Sequence, residues 1–169
     1  TYTSAYARGY VYFDTLPPNN GDWSQVIGFQ QAGDGSGQAF VIVTKSSGTV
    51  YFGIRGRNNG VYNNYVSSVT ATSGQMYCVE LYMSVHASAG VYTLWVDGVQ
   101  ALTQTGLDTD NQGNIAACIA GTYNSGFAVP ATVYVDAVVV ADAYIGPEAA
   151  EGGQPYISRV QGIAGMRSW

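Results

Sequence analysis

The sequence carries very little charge. Only 10% of its 169 residues are Asp, Glu, Lys or Arg, whereas these four types make up about a quarter of a typical soluble domain. Lys45 is the only lysine, and the net charge is −5. Because six Lys and Arg residues spread along the chain cannot form the basic surface that phosphate binding requires, we exclude nucleic acid as a partner.

Most of the polar residues in the sequence are uncharged. It contains 14 Tyr and 22 Gly, with many Ser, Thr and Asn. Such a surface is common in extracellular, cell-surface and virion-surface β proteins, and we predict one of these locations. The alternative is a domain whose outer faces are covered by neighbouring subunits, because a covered face needs fewer charges for solubility.

Long apolar runs and cysteines are also scarce. No run of about 18 apolar residues occurs, so we expect no membrane span. No signal peptide is recognisable in this sequence, whose first residue is Thr and not Met, and we expect a processed product or a portion of a longer protein. The two cysteines, Cys78 and Cys118, fit no zinc motif. Both lie in predicted strands, which leaves open a cross-strand disulfide or two buried thiols.

Groups for catalysis are few. Glycoside hydrolysis needs two carboxylates flanking the scissile bond, yet the three glutamates are Glu80, alone on its predicted strand, and Glu148 and Glu151 in a linker. His86 is the only histidine, and no G-x-S-x-G motif is present. A lyase would need a base, such as Tyr or His, and a cation. The only residues that we can combine for these roles are Tyr51, Arg55 and His86. We therefore predict that the protein is not an enzyme.

Residues 75–98 contain the clearest structural signal. Alternate residues from Tyr77 to Val85 are apolar, which is the two-residue period of a strand with one buried face. Residues 91–96 are β-branched and aromatic, and Asp97-Gly98 follows them. An Asp-Gly pair between apolar runs is a strong hairpin signal.

The rest of the chain repeats this pattern without a helical period. Nine to eleven short strands, with turns every eight to twelve residues, predict an all-β sandwich or barrel. The more polar residues 61–69 are expected at a sheet edge. The nearly continuous β-branched run at residues 131–140 predicts a central strand that is covered on both faces.

The composition changes after Pro147. Residues 148–155 resemble a linker, so we expect a sandwich domain at 1–147 and a linker with a C-terminal arm at 148–169. Glycines in the arm argue against a helix, and an extended arm that docks on its own domain or on a neighbour is expected. The alternative is a disordered end. The apolar anchors recur every three residues: Ile157, Val160, Ile163, Met166 and Trp169.

Two segments carry a family resemblance. MYCVELYMSVHASAGVYTLWVDG, followed by VYVDAVVVADAYIGPE, is similar to the concanavalin A-like/laminin G-like jelly-roll superfamily over roughly residues 5–147. The resemblance implies a two-sheet antiparallel jelly-roll sandwich. It implies no single activity, because members include glycan-binding modules, polysaccharide lyases, glucanases, adhesion domains and phage structural proteins. The E-x-D-x-x-E cluster of its hydrolases and the Q-I-H triplet of its lyases are absent.

Glycan binding needs aromatic rings for stacking and a few polar partners for hydroxyl groups. Outward tyrosines are also common in sheets, where cross-strand aromatic pairs contribute stability. Five residues are predicted to share the face opposite the core: Tyr51, Arg55, Glu80, Tyr82 and Trp95. Further candidates near loops are Trp23, Tyr62, Asn63, Asn64, Tyr65 and Tyr123.

A structural calcium ion is the one cofactor that the sequence suggests. Asp136 lies within an apolar strand, where a carboxylate needs a donor or a cation, and the resemblance implies calcium near that strand. Ala137 replaces a second acidic residue that is common there, which weakens the assignment. Asp108 and Asp110 offer oxygen ligands without the spacing of an EF-hand. The alternative is a set of hydrogen-bonded turn carboxylates.

Two functional hypotheses follow. The main hypothesis is a non-catalytic structural module of a virion, filament or cell-surface assembly, whose arm binds neighbouring subunits in a homo-oligomer. The alternative is a carbohydrate-binding, lectin-like module of a secreted polysaccharide-active protein. A polysaccharide lyase is a more distant alternative.

Overall fold

The computed structural model describes residues 1–32, 37–111, 113–122 and 132–149, and none of these residues is helical. Alternation of apolar and polar side chains, which buries one face of a strand, is clear at residues 4–13. Ten strands are present in this part of the chain: β1 Ser4–Phe13, β2 Trp23–Gln31, β3 Gly37–Ser46, β4 Thr49–Asn58, β5 Val61–Thr70, β6 Met76–Ser84, β7 Gly90–Val96, β8 Val99–Leu107, β9 Ile115–Ala120 and β10 Val133–Ala141.

The strands form two antiparallel sheets of five. One sheet has the order β5-β4-β3-β2-β9 and is called the β3 sheet below; the other has the order β10-β1-β6-β7-β8 and is called the β6 sheet. This arrangement confirms the predicted all-β, two-sheet jelly-roll sandwich. It also confirms that β5, the polar strand, lies at a sheet edge.

The core lies between the inward faces of the two sheets. Phe13 and Tyr77 of the β6 sheet meet Phe52 of the β3 sheet, with the Phe52 ring 5.0 Å from that of Tyr77 and 6.0 Å from that of Phe13. Leu81 and Phe29 are fully buried in the same cluster. Since alternate residues of these strands are buried here, the intervening residues point to the two outer faces of the sandwich.

Tight turns set the register of the hairpins. Asp97 and Gly98 have φ of 51° and 80°, the left-handed pair that a two-residue hairpin requires. They join β7 to β8, and the Asp97 carboxylate also accepts a 2.8 Å hydrogen bond from the Cys78 backbone N–H. The hairpin predicted from Asp97-Gly98 is therefore confirmed.

The position of β10 differs from the prediction. The strand is the outermost member of the β6 sheet, not a central strand, and Val138 and Val140 are 42% and 51% exposed. Its register against β1 shifts between Arg8 and Tyr10, and Ala137 in this bulge has φ 48°. The bulge and the open edge explain why a β-branched run does not imply cover on both faces.

The predicted C-terminal arm lies outside the described residues, with all five of its apolar anchors. Its docking, and the domain boundary at residue 147, stay predictions. Within the described part of the chain, no helix is long and apolar enough to cross a membrane.

Candidate functional site

The five residues predicted to form one glycan-binding face do not lie together. Tyr51 and Arg55 belong to β4 in the β3 sheet, whereas Glu80, Tyr82 and Trp95 belong to β6 and β7 in the β6 sheet. All five point away from the core, but the two sheets face opposite directions. The set is thus split between two separate surfaces, and a glycan-binding role for its members stays a prediction.

The outer face of the β3 sheet holds a stack of aromatic rings and guanidinium groups. The Arg55 guanidinium lies 4.6 Å from the centre of the Trp23 ring and 4.5 Å from that of Tyr62. On β4, Arg57 follows Arg55 by two residues and therefore points the same way, with its guanidinium 4.6 Å from the Tyr62 ring. We call Trp23, Gln25, Arg55, Arg57 and Tyr62 the arginine face.

Fixed hydrogen bonds orient this stack. Arg55 Nη1 donates to Asn64 Oδ1 at 2.8 Å, and the Tyr62 hydroxyl donates to the Gly37 carbonyl at 2.7 Å. Burial lowers the pKa of Arg55, while the neighbouring Tyr62 acts in the opposite direction. An arginine nevertheless stays protonated at neutral pH, so the stack holds an oriented positive charge.

Two polar atoms of the arginine face lack a hydrogen-bond partner in the described part of the chain. Among the described residues, Arg57 Nε and Gln25 Oε1 are buried without a hydrogen-bond partner. The ion pair within the same part of the chain joins Arg8 to Glu148, so neither Arg55 nor Arg57 is paired with a described carboxylate. Unpaired buried donors and acceptors are uncommon, and both atoms lie beneath the surface of this face.

Two glycines make room for the Phe40 ring beneath this face. Phe40 points outward between Gly28 on β2 and Arg55 on β4, yet it is only 2% exposed. A Cβ atom at Gly28 or Gly37 would collide with the Phe40 ring. The ring therefore lies over these two glycines and is itself covered, so it packs beneath this face and is not open to a ligand.

The outer face of the β6 sheet is organised by Glu80. This residue is 2% exposed, and its carboxylate accepts 2.8 Å hydrogen bonds from the backbone N–H groups of Ile145 and Gly146. The chain after β10 is thereby held across the sheet, and we call residues 142–148 the C-terminal strap. Each carboxylate oxygen of Glu80 therefore accepts a hydrogen bond from a backbone N–H group of the strap, and the residue has a structural role.

An ion pair holds the end of the strap. Arg8 donates from Nη2 to Glu148 Oε1 at 2.8 Å, and its side chain is 3% exposed compared with 36% for Glu148. The Glu148 backbone N–H donates to the Tyr10 hydroxyl at 2.9 Å. Both charged groups of this face, Arg8 and Glu80, are therefore bound by the strap.

Beside the strap lies a continuous set of aromatic rings, called the aromatic row below. The ring centres of Tyr6 and Tyr82 are 4.5 Å apart, those of Tyr6 and Trp95 6.0 Å, and those of Trp95 and Tyr144 5.1 Å. Tyr144 belongs to the strap, and the other three rings belong to β1, β6 and β7.

The two places predicted for calcium, Asp136 in one and Asp108 with Asp110 in the other, lie at opposite edges of the β6 sheet. Asp136 is exposed on β10 and accepts a 2.7 Å hydrogen bond from the Ala137 N–H, while Asp108 accepts one from Asn111. Because β10 and β8, the strand before Asp108, are the two outermost strands of the β6 sheet, about 19 Å separates the two places, and calcium at either one stays a prediction. Asp110 lies beyond Asp108, and the described residues contain no group of three or more His, Cys, Asp or Glu suited to a metal.

His86 and the two cysteines have structural surroundings. His86 Nδ1 accepts hydrogen bonds from the backbone N–H groups of Ser88 and Ala89, at 3.0 and 2.9 Å, within its own turn. Cys78 and Cys118 are free thiols on different sheets, so of the two alternatives left open by the sequence, the unbridged thiols are present. Burial raises the pKa of each cysteine to about 11, which makes both poor nucleophiles.

Some residues of these surfaces were not identified from the sequence. Arg57 shares the strand face of Arg55, and the R-x-R spacing in β4 could have indicated it. The alternation of β1 places Tyr6 on the same face as Arg8 and Tyr10. Outward tyrosines are common in sheets, so this position did not by itself indicate a binding site. Tyr65, a predicted candidate, points inward and packs 6.4 Å from the Tyr92 ring, and Tyr123 lies outside the described residues.

Comparisons with known proteins identify the fold. No protein-family model matches the sequence, and no curated protein matches it. Among solved structures, alginate lyase Aly36B is similar with a TM-score of 0.54 and 19% identity over 82% of this chain and 69% of the lyase. The cellulose-induced protein Cip1 has a TM-score of 0.56 and 15% identity, over 86% of this chain and 71% of Cip1.

A third similar structure is a heptameric SAP-like pentraxin from Limulus polyphemus, with a TM-score of 0.55 and 12% identity. The match covers 82% of this chain and 63% of the pentraxin. Identities this low establish the fold alone. The chain has the concanavalin A-like jelly-roll sandwich, which confirms the resemblance seen in the sequence.

The main functional hypothesis is wrong. These comparisons contradict a structural module of a virion, filament or surface assembly, because the similar structures are an alginate lyase, a cellulose-induced protein and a pentraxin. They favour the alternative of a carbohydrate-binding or polysaccharide-active protein. The similar structures include an enzyme, so the likeness by itself does not decide between binding and catalysis.

Proposed function

We propose that this protein is a carbohydrate-binding module that holds acidic polysaccharides on the arginine face of the β3 sheet. The observation that carries the proposal is the Arg55 guanidinium, which is fixed between the Trp23 and Tyr62 rings without a described carboxylate partner. A guanidinium presents parallel N–H donors that match a carboxylate. Aromatic rings beside it supply apolar surface for the sugar ring.

The site has the mixture of groups that sugars require. Arg55 and Arg57 supply charged donors beside the Tyr62 ring, and Trp23 is only half-buried. The stack is held by Asn64 and Gly37, so little conformational entropy is lost when a ligand binds. These features support binding to uronic acids over neutral sugars.

We propose binding without cleavage. The single histidine has its Nδ1 engaged by its own turn, and Glu80 is bound by the strap on the opposite sheet. Neither is therefore available as a base beside Arg55. We expect the module to act outside the cell, where polysaccharides occur.

The test is calorimetric titration of the protein with oligouronates and with neutral oligosaccharides of equal length. Arg55→Gln should weaken oligouronate binding about 10- to 100-fold, since a hydrogen bond to a charged group contributes about 1.5–3 kcal/mol. Lys45→Gln is the matched control, because it removes the same charge from the end of β3 in the same sheet. It should change the affinity less than twofold.

Two results would overturn the proposal. The first is the absence of any oligouronate binding, and the second is equal loss of affinity in Arg55→Gln and Lys45→Gln. Incubation with polyuronate should produce no unsaturated product, as followed by ultraviolet absorbance. Product formation that depends on Arg55 would replace binding with lyase activity.

The oligomeric state is part of the same proposal. A homo-oligomer was predicted from the sequence, and the similar pentraxin is described as heptameric. Several copies would increase the avidity for a repeating polymer. Native mass measurement of the full chain tests this, and a monomer at working concentration would contradict it.

A further inference from the structure

We propose that the outer face of the β6 sheet is a second binding surface, on which uncharged sugar chains pack against the aromatic row of Tyr6, Tyr82, Trp95 and Tyr144. This surface is separate from the arginine face, since the core of the sandwich lies between them. The module would then bind two kinds of polysaccharide on opposite sides. The inference does not require the arginine face to bind acidic sugars.

The aromatic row is continuous and not buried. Successive ring centres are 4.5–6.0 Å apart, so the rings form one apolar surface and not isolated contacts. Tyr144 is 46% exposed, and Tyr6, Tyr82 and Trp95 are half-buried. Sugar rings have one apolar side that packs against such surfaces.

The polar atoms of three residues of the row distinguish them from the structural aromatics of this protein, whereas the fourth, Tyr144, donates its hydroxyl to the Gly98 carbonyl at 3.4 Å. Tyr92 donates its hydroxyl to the Arg57 carbonyl at 2.6 Å, and the Tyr77 hydroxyl accepts from the Thr72 N–H at 2.9 Å. A tyrosine or tryptophan that serves packing alone usually has such a partner. Within the described residues, Tyr6, Tyr82 and Trp95 have no side-chain hydrogen bond, so their hydroxyl and N–H groups can contact ligand hydroxyls.

The electrostatics of this face favour uncharged ligands. Arg8 is paired with Glu148, so its positive charge is neutralised. Glu80 lies below the row and, after burial and Tyr82, is a further cause of the raised pKa of Tyr6. A buried carboxylate in this position repels an anionic sugar, whereas it has no net effect on a neutral one.

The strap completes the surface and makes it rigid. Tyr144 directly precedes Ile145 and Gly146, whose N–H groups bind the Glu80 carboxylate. Its ring is thereby held 5.1 Å from that of Trp95. Because the rings are positioned before binding, a ligand does not need to order them.

The test uses the full chain with cellohexaose and mannohexaose as neutral probes and an oligouronate as the charged probe. Tyr144→Ala should weaken binding of at least one neutral probe tenfold or more, and it should leave oligouronate binding within twofold. Tyr134→Ala is the matched control, because Tyr134 is a 53% exposed tyrosine of the same sheet that pairs with Tyr12, outside the row. It should leave neutral binding unchanged.

A second measurement does not depend on any variant. Addition of the neutral probe to the ¹⁵N-labelled protein should shift the indole N–H signal of Trp95 and not that of Trp23. Absence of binding by both neutral probes, equal effects of Tyr144→Ala and Tyr134→Ala, or a shift at Trp23 alone would overturn the inference. Loss of oligouronate binding in Arg55→Gln with intact neutral binding tests the proposed function separately.

Discussion

Glu80 accepts a 2.8 Å hydrogen bond from the backbone N–H of Gly146, 66 positions later in the chain. The other carboxylate oxygen accepts from Ile145, so one buried side chain binds two consecutive peptide groups. This pair attaches the C-terminal strap to the centre of the β6 sheet. The strap in turn places Tyr144 beside Trp95.

Glu80→Ala should destabilise the protein by roughly 2–4 kcal/mol, because two hydrogen bonds to a charged acceptor are lost and two N–H groups lose their partner. Glu80→Gln retains an acceptor and should cost less. Urea unfolding measures both changes. A Glu80→Ala variant as stable as the unchanged protein would contradict this role of the two hydrogen bonds.

Glu148→Gln should destabilise the protein more than Arg8→Met. The first change leaves the guanidinium of Arg8, whose side chain is 3% exposed, without its charged partner, whereas Glu148 is exposed enough to be hydrated. We expect roughly 1–3 kcal/mol for Glu148→Gln, below the cost for fully buried pairs. Urea unfolding of both variants gives the ranking, and the reverse order would refute this account of the ion pair.

Ala137→Gly should stabilise the protein. Ala137 has φ 48° in the β10 bulge, a conformation that costs an L-residue about 1–2 kcal/mol and glycine very little. After the entropy that glycine adds to the unfolded chain, we expect a gain of about 0.5–1 kcal/mol, or about 1–3 °C in Tm. Ala141→Gly in the same strand is the control and should lower Tm.

Alkaline pH should destabilise the protein through its two thiols. Burial raises the pKa of Cys78 and of Cys118 to about 11, from an ordinary value of 9.0. The folded state therefore holds these protons more tightly than the unfolded state, and its stability falls as the pH rises from 9 to 11. Between pH 9 and 11, the urea midpoint of Cys78→Ala should fall less than that of the unchanged protein. The same pH dependence in both proteins would show that the Cys78 thiol does not cause the loss of stability.

The same thiols should react slowly at pH 8. A pKa near 11 reduces the thiolate fraction about 100-fold relative to a pKa of 9. Modification by a disulfide reagent should accelerate by at least that factor in urea. Fast reaction of the native protein would show that the thiols are accessible and ionised.

Much of the fold was predictable because strand signals are local. The alternation from Tyr77 to Met83 assigned the inward face of β6, and Asp97-Gly98 assigned the β7–β8 hairpin, since both signals depend only on neighbouring residues. Alternation within β4, β6 and β7 identified four outward residues: Tyr51, Arg55, Tyr82 and Trp95. The position of β10 was not predictable in this way, because a β-branched run does not show whether a further strand lies beside it.

The sequence by itself determined that the chain is an all-β sandwich with few charges and aromatic residues on its outer strand faces. Only the tertiary structure decided which sheet each strand joins. It placed Arg55 between Trp23 and Tyr62, and it separated that stack from Trp95 by the thickness of the core. Side-chain alternation tells inside from outside along one strand, but a sandwich has two outsides, and long-range pairing alone assigns a strand to one of them.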